Sequence, residues 1–516
     1  MTHCGVQSIL MIFLLTMIIA GVSAEPSSVR LTAPDTGGSD IFTETNSFTA
    51  GSASPVQIYD TNGDGVIQKA EAVQAVTDYL FNHNLSKADA VTVVTAYLFP
   101  AGGLSVSCPG NQPAFITGKN VYQTPQMAEP AAHAPFRDPV FGTCIIRVTD
   151  RTKDISPDDN SKGLKNEYSR IESFNADGSR ILVLGTSASA YLYDAGTLER
   201  IARIPIGTDP RWDPFNPDLI YYVDGAILTS YNTRTREKKV IHDFNPDFPG
   251  ETLTFVWTRY EGGPSRDGRY WGLMVEDENY HTIAILTYDQ QADTIIALRN
   301  LKGMPNADAD SVIISPLGTY VVAQNDYCEP GTLGTYDKPC GLMVYDHDLQ
   351  HARGVLRIIG HSDFALDAGG REVMIYQDID TDYISVVDLG TGEITPLEPI
   401  DFSHTAIGLH FSGLAYDRPG WALVSTHNGG YPTAFTWMDD DIFAMELKPQ
   451  GRIVRLAHTH SLVSPGVEHD YWAEPQASVN RDFSRVLFTT NWGRSGTDEV
   501  EMYLIELPKD WMSTLP

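Results

Sequence analysis

From about residue 140 to its end, the sequence repeats one pattern, in which a turn leads directly into a short apolar, β-rich run. The turns that open these units lie mostly 40 to 52 residues apart, and they are Asp177-Gly178, Pro217-Asp218, Asp267-Gly268, Leu317-Gly318, Gly369-Gly370, Pro419-Gly420 and Arg481-Asp482. Short strands with a period near 45 residues are typical of a β-propeller, because one blade cannot bury its own faces and must stack on its neighbours. The sequence therefore predicts a mainly β chain with a seven-bladed propeller over residues 140–516. A β-sandwich also has many short strands, but it does not have this period.

The two ends of the repeat region complement each other. Residues 477–507 contain three strands, and the run GTCIIRVTD at 142–150 is an extra strand before the first complete unit. We expect this run to form the outer strand of the last blade. Such a closure of the ring covers an edge that would otherwise be free to pair with another chain.

The N-terminus predicts export. Residues 9–20 form an apolar run (ILMIFLLTMIIA) that is shorter than a bilayer span, and Val22-Ser23-Ala24 follows as a small-x-small cleavage pattern. We interpret residues 1–24 as a secretory signal peptide, with an uncleaved anchor as the alternative. Since no second run approaches membrane length, the mature chain is expected to be secreted or to lie at the cell surface. Residues 25–55 are rich in Ser, Thr, Gly and Pro and are interpreted as a flexible segment.

Export makes disulfide bonds plausible for the four cysteines beyond the signal, which allow three pairings. Cys328 and Cys340 flank one Gly/Pro-rich loop (CEPGTLGTYDKPC). This spacing favours a Cys328–Cys340 bond and therefore a Cys108–Cys144 bond.

The charge of the chain restricts its partners. Against 36 Lys and Arg stand 66 Asp and Glu, which gives a net charge of −30 over 516 residues. A strongly negative field repels polyanions, so we expect no nucleic acid and no anionic membrane surface as a partner.

The most specific local motif is a calcium loop at residues 60–71 (DTNGDGVIQKAE), which fits the pattern D-x-[DN]-x-[DN]-G-x5-E in every position. Calcium prefers six to eight oxygen ligands, and this spacing supplies them from one tight turn and the helix that follows it. The predicted Ca²⁺ ligands are Asp60, Asn62, Asp64, Val66 through its carbonyl, Gln68 through water, and Glu71. An ordinary Asx-rich turn is the alternative.

The segment after this loop is duplicated. Residues 69–81 (KAEAVQAVTDYLF) and 87–99 (KADAVTVVTAYLF) share nine of thirteen positions, and each has apolar residues at i, i+3 and i+7, which predicts two helices that bury each other. Residues 56–100 resemble a dockerin or paired EF-hand module, although Glu71 replaces the usual Asp and the second loop lacks carboxylates. The resemblance implies that this module attaches the chain to a cohesin-like or cell-surface partner. Residues 101–139 are interpreted as a linker.

The propeller also resembles a known group. Turns such as FNADGSRILVL at 174–184 and SVNRDFSRVLFTTN at 478–491 are similar to those of TolB-like and oligogalacturonate-lyase-like propellers. Where the lyases begin an innermost strand with His-Pro, this chain has Glu474-Pro475-Gln476, so it does not reproduce their metal-binding histidine cluster.

Ligands of propellers usually lie over the central channel, and the repeat register predicts which residues reach that face. The candidate catalytic residues are His410, His427, His469, Tyr471 and Arg494. Tyrosine rings stack on sugars, Arg binds uronate carboxylates, and His or Tyr can remove the proton beside such a carboxylate. His458 and His460 alternate in an extended segment and are predicted to project to one side, where they could share a metal with one of the other histidines.

Two functions fit these observations. The first is a secreted calcium-binding protein whose dockerin-like module tethers a propeller that binds carbohydrate or protein. The alternative is a polysaccharide lyase that acts on an acidic polysaccharide. Fold alone does not choose between them, because propellers carry out both roles.

Overall fold

In the computed structural model, the described residues are 58–59, 69–82, 85–86, 89–90, 93–94, 108, 110, 112, 114–304, 308–428, 435–464 and 466–515. They fall into two compact units, which divide between residues 103 and 104. Within this described part, none of the helices has the length and hydropathy of a segment that crosses a bilayer.

The first unit contains one helix of more than two turns among its described residues, α1 (Lys69–Thr77), which continues as a π-helical turn at Asp78–Asn82. The predicted helix at 69–81 is therefore present, but its buried face is different. Ala72 and Ala75 pack against Val93, whereas Val73 is 41% exposed. Small alanine side chains let Val93 approach closely, which turns the larger valine outward.

Of the predicted calcium ligands, Glu71 is buried in α1, and Asp60, Asn62, Asp64, Val66 and Gln68 lie outside the described residues.

The second unit is a seven-bladed β-propeller, as the repeat predicts. Its 29 strands, counted over the described residues, form one five-stranded and six four-stranded antiparallel sheets. The first strands are β1 (Phe136–Arg137) and β2 (Cys144–Arg147). Blade 1 contains β3 (Leu164–Lys165), β4 (Arg180–Gly185), β5 (Ala190–Asp194) and β6 (Arg200–Ile204). Blade 2 contains β7 (Thr208–Trp212), β8 (Leu219–Asp224), β9 (Ile227–Asn232) and β10 (Lys238–Asp243).

The next three blades repeat this order. Blade 3 contains β11 (Leu253–Trp257), β12 (Tyr270–Asp277), β13 (Thr282–Asp289) and β14 (Thr294–Asn300). Blade 4 contains β15 (Ala309–Ile314), β16 (Tyr320–Asn325), β17 (Leu342–Asp346) and β18 (Ala352–Leu356). Blade 5 contains β19 (Ser362–Leu366), β20 (Glu372–Asp378), β21 (Tyr383–Asp388) and β22 (Ile394–Pro399).

Blade 6 contains β23 (Ile407–Ser412), β24 (Trp421–Asn428), β25 (Asp441–Glu446) and β26 (Ile453–His458). Blade 7 combines β27 (Ser478–Val479), β28 (Arg485–Thr490) and β29 (Glu501–Glu506) with β2 and β1 from the start of the propeller. Strand β2 pairs with β29, with Cys144 opposite Glu506 and Arg147 opposite Tyr503. The predicted closing strand is thus confirmed, and β1 extends the same sheet by one further strand.

The short helices lie in connections between these strands or, in one case, after the last strand. They are α2 (Arg151–Asp154) and the 3-10 helices Asn245–Asp247, Glu468–Ala473 and Trp511–Thr514. Both predicted disulfide bonds, Cys108–Cys144 and Cys328–Cys340, are present.

Apolar packing between neighbouring blades forms the core. In β12 of blade 3, Trp271 and Leu273 are buried in a cluster that also includes Val312 and Ile314 of blade 4. Gly272 lies between the first two, and a Cβ at that position would meet the Ile314 nitrogen at 2.8 Å. Only glycine permits this approach of two blades.

Candidate functional site

Two histidines of blade 6 lie side by side at the mouth of the central channel. His410 is on the innermost strand β23, and His427 is near the end of β24, where it pairs with Gly408. Because side chains alternate along a strand, Gly408 and His410 face the same side of β23. A Cβ on Gly408 would lie 2.4 Å from the His427 imidazole, so the glycine creates the space that this ring occupies.

Two neighbouring blades add to this pair. Glu474, which follows the 3-10 helix before β27, accepts a hydrogen bond at Oε2 from His410 Nε2 over 2.8 Å. His361, directly before β19, has its ring centroid 4.3 Å from that of His410. The Tyr168 hydroxyl lies 3.2 Å from His361 Nδ1. Blades 1, 5, 6 and 7 therefore all contribute a polar side chain to the channel mouth.

Burial keeps the imidazoles of this group neutral. Loss of solvent lowers the pKa of His361 and of His410 to about 3, and that of His427 to about 4. At neutral pH each ring therefore carries a lone pair. Within the described residues, the buried Nδ1 atoms of His410 and His427 have no hydrogen-bond partner. A buried polar atom without a partner requires an explanation, and a bound ion is one such explanation.

The donor set fits a divalent metal ion. One ligand atom from each of His410, His427 and Glu474 can be chosen so that all lie within 4.8 Å of one another. In an octahedral site, neighbouring donor atoms lie about 3 Å apart. Two neutral imidazoles and a carboxylate suit transition metals such as Mn²⁺ or Zn²⁺. A second group in the described residues, Asp346, Asp348 and His351, lies on an exposed turn of blade 4 and serves below as a control.

A segment of blade 1 that the sequence analysis did not single out reaches across the channel. Residues 166–172 are not paired with β4, although the chain pairs with it before and after them, and Arg170 in this segment donates to Ser362 of blade 5 over 2.8 Å. The same guanidinium pairs with Glu261 of blade 3 at 2.9 Å. Tyr168 and Arg170 thus place a hydroxyl and a buried positive charge beside the histidines. No strand-like pattern marks this segment, and its partners lie far away in the sequence.

The other predicted catalytic residues are not part of this group. His469 is exposed, and its Nδ1 lies 3.1 Å from Asp498 Oδ2. Arg494 forms a bidentate pair with Glu129, with distances of 2.8 and 3.0 Å. Both terminal nitrogens of Arg494 are therefore bonded to a carboxylate of this chain, whereas Arg170 uses only one nitrogen in its pair with Glu261.

Tyr471 lies closer to the channel mouth. It is half exposed and packs edge-on against Trp472, with a centroid distance of 4.8 Å. Desolvation of the hydroxyl and the nearby Glu474 raise the pKa of Tyr471. Its hydroxyl consequently stays protonated and remains available as a donor.

The rings of His458 and His460 are neighbours as the sequence predicts, with centroids 6.4 Å apart, but each packs against an aromatic ring. His458 stacks on Phe141 with a centroid distance of 4.4 Å and contacts Asp138 Oδ2 at 3.0 Å through Nδ1. His460 stacks on Trp492 at 4.1 Å. Neither ring belongs to a metal-suited group among the described residues.

Comparisons with known proteins agree with the fold. No protein-family model and no curated protein matches the chain. Among solved structures, an oligogalacturonate lyase in complex with manganese is 16% identical with a TM-score of 0.51, over 78% of this chain and 99% of that chain. An oligogalacturonate lyase from Vibrio parahaemolyticus is 13% identical with a TM-score of 0.50, over 77% and 100% of the respective chains. TolB from Acinetobacter baumannii has a TM-score of 0.31 at 14% identity, over 57% and 63%. The likeness to the two lyases shows a common propeller fold.

Proposed function

We propose that the propeller is a lyase that cleaves an acidic saccharide with the help of a divalent metal ion. The observation that carries this proposal is the convergence of His410, His427 and Glu474 at the channel mouth. The fold adds support, because a solved structure of similar fold is an oligogalacturonate lyase in complex with manganese.

In this proposal, His410, His427 and Glu474 hold the metal ion. A bound divalent cation would neutralise the carboxylate of a uronate and make the neighbouring C–H more acidic. Arg170, whose positive charge lies beside the same group, orients the sugar carboxylate. Its pairing with Glu261 at 2.9 Å fixes the guanidinium before substrate enters.

His361 is the proposed base. Its Nδ1 contacts the Tyr168 hydroxyl, which fixes the ring and leaves Nε2 to receive a proton. The negative charge of a bound uronate raises the pKa of this imidazole from its low value in the free protein. His361 removes the proton on the carbon next to the carboxylate, and the electron pair forms a double bond to the adjacent carbon. The glycosidic bond at that carbon breaks, and the Tyr471 hydroxyl protonates the departing oxygen.

The test uses the purified protein with polygalacturonate, alginate, ulvan and glycosaminoglycans, in Mn²⁺ and in EDTA. We expect one of these saccharides to give the ultraviolet-absorbing unsaturated product in Mn²⁺, and we expect EDTA to abolish it. His410→Ala should lower the rate at least about a hundredfold, because it removes a metal ligand. His351→Ala, which removes the histidine of the exposed group on blade 4, should leave the rate unchanged.

Calorimetric binding of a saccharide without any product would contradict the lyase. That outcome would support the second candidate function, a propeller that only binds carbohydrate. The aromatic and arginine side chains at the channel mouth are consistent with both functions, but a binding site does not require neutral histidines around a carboxylate.

We also propose that the chain is exported and that residues 60–71 bind Ca²⁺, so that the N-terminal module can tether the propeller to a cohesin-like or cell-surface partner. The support is the complete calcium-loop pattern in the sequence. Calcium titration should produce heat and raise the melting temperature, and Asp60→Ala should remove both effects. A wild-type chain that does not respond to calcium would contradict this proposal.

A further inference from the structure

A row of aromatic rings runs across the surface of blade 3. Phe255 and Trp257 of β11 are stacked with a centroid distance of 4.3 Å. Tyr260 packs against Trp257 at 5.4 Å, and Tyr280 lies 6.5 Å from Phe255. The two tyrosines at the ends of this row are 44% and 65% exposed, so the row presents ring surface to solvent. We call Tyr260 and Tyr280, with the two rings between them, the blade 3 aromatic row.

A buried carboxylate of blade 2 holds one end of this row in place. Asp209 accepts hydrogen bonds from the Tyr260 nitrogen over 2.6 Å and from the Thr258 nitrogen over 2.8 Å. Between these anchors, Arg259 and Tyr260 both have left-handed backbone, with φ of 58° and 66°. Such a conformation costs a non-glycine residue about 1 kcal/mol or more, and it persists only where neighbouring contacts enforce it. The anchors thus fix Arg259 and Tyr260 in an outward orientation.

The same segment leads directly to the channel mouth. Glu261, the next residue after Tyr260, pairs with Arg170, and Arg170 in turn bonds Ser362, which follows the proposed base His361. Glu261 also contributes, after burial and Glu474, to the raised pKa of Tyr471. A saccharide that occupies the proposed catalytic group can therefore continue onto the aromatic row.

Arg259 supplies a positive charge beside the rings. It lies 3.5 Å from Asp310, and both side chains are exposed, so this pair contributes little and can exchange for another carboxylate. Aromatic rings bind the apolar faces of sugars, and a guanidinium binds a carboxylate through two parallel hydrogen bonds. Together they match a sugar that carries an acidic group.

We propose that the blade 3 aromatic row and Arg259 form a subsite for a second uronate residue of the saccharide. This inference rests on the proposed function and extends it, since it assigns the propeller a preference for longer acidic oligosaccharides over the shortest cleavable ones. Tyr260 and Tyr280 stack on the sugar rings, and Arg259 exchanges Asp310 for the sugar carboxylate.

The experiment measures binding and cleavage separately. A His410→Ala/His427→Ala background prevents cleavage, and calorimetry then compares galacturonate trimers and hexamers, together with neutral cellohexaose. We expect Tyr280→Ala and Tyr260→Ala to weaken hexamer binding about fivefold and trimer binding much less. Arg259→Gln should weaken binding of the charged hexamer and leave cellohexaose unaffected. Tyr327→Ala removes a tyrosine that is 63% exposed on blade 4, and it serves as the matched control without effect.

The outcomes separate the subsite from the lyase. Equal hexamer affinity in the Tyr280→Ala, Tyr260→Ala and control proteins overturns the subsite, as does the absence of hexamer binding to the parent background. In another outcome, hexamer binding depends on the tyrosines, but the protein that retains both histidines forms no product. This outcome supports the subsite and overturns the lyase. The third outcome is that wild-type protein forms product and prefers hexamers, and that Tyr280→Ala abolishes this preference. It supports both the subsite and the lyase.

Discussion

The propeller contains two groups of buried histidines that differ in what surrounds them. In the channel group, His361, His410 and His427 approach each other around Glu474. In the edge group, His458 stacks on Phe141 and His460 stacks on Trp492, and their ring centroids lie 6.4 Å apart. Both groups are buried and neutral rings occur in each. Convergence of donor atoms, and not burial of histidine, therefore makes the channel group the proposed metal site.

The largest effect is expected for a ligand of the channel group. His427→Ala removes one of the proposed metal ligands, and we expect manganese content to fall to background and lyase activity to fall about a thousandfold. Circular dichroism should still report a folded propeller, because His427 has no buried hydrogen-bond partner at Nδ1 that would be left behind. Full metal content in this variant would place the metal elsewhere.

The matching change in the edge group should act on stability. His458→Ala leaves a cavity beside Phe141 and removes the ring that contacts the buried Asp138 carboxylate at 3.0 Å. We expect a loss of about 2–4 kcal/mol in the free energy of unfolding, measured in urea. Metal content and activity of the folded fraction should not change. A loss of metal without a loss of stability would reverse the comparison.

The next variant displaces one proposed metal ligand without removing any of them, and so tests whether convergence of the donor atoms matters. Gly408→Ala places a Cβ where the His427 ring now lies, at 2.4 Å, so the imidazole must rotate away. We expect metal affinity to fall about tenfold while every proposed ligand is still present. Gly413 lies on the same blade and would be a poor control, since a Cβ there meets backbone of blade 5. The control is therefore wild-type protein at matched metal concentration.

The outcome for His410 and His427 shows what a repeat can predict. Their strand positions follow from the register of the seven units, because equivalent positions in a propeller reach the same face. The fold, the closing strand and both disulfide bonds follow from period, chain ends and loop composition in the same way. These features depend on local patterns that recur or on residues that flank one loop.

The missed residues depend on contacts that no local pattern encodes. Tyr168 and Arg170 lie in a polar segment without alternation, and their partners His361 and Ser362 are more than 190 residues away. The alternation of His458 and His460 predicts two neighbouring rings, but it does not show that these rings stack on Phe141 and Trp492 instead of meeting a further donor.

A smaller effect is expected at a residue that the sequence placed in the catalytic set. Arg494→Gln breaks the bidentate pair with Glu129, which is partly exposed. We expect a loss of about 1 kcal/mol in stability from urea denaturation. The Michaelis constant and turnover should stay at their wild-type values. A tenfold rise in the Michaelis constant for a uronate saccharide would instead show that Arg494 binds the substrate.

The smallest expected effect concerns the pH dependence of the edge group. Burial and the neighbouring His458 lower the pKa of His460 from 6.5 to about 4. Between these values the unfolded chain binds a proton that the folded protein does not, so the stabilising contribution of neutral His460 is complete above pH 6.5 and is lost as the pH falls toward 4. His460→Asn removes this titration, and Asn tolerates the left-handed backbone at this position. The variant should therefore lose a few degrees less in melting temperature than wild type between pH 7 and pH 4.5, and an identical slope would mean that His460 has the same pKa in the folded and unfolded chain.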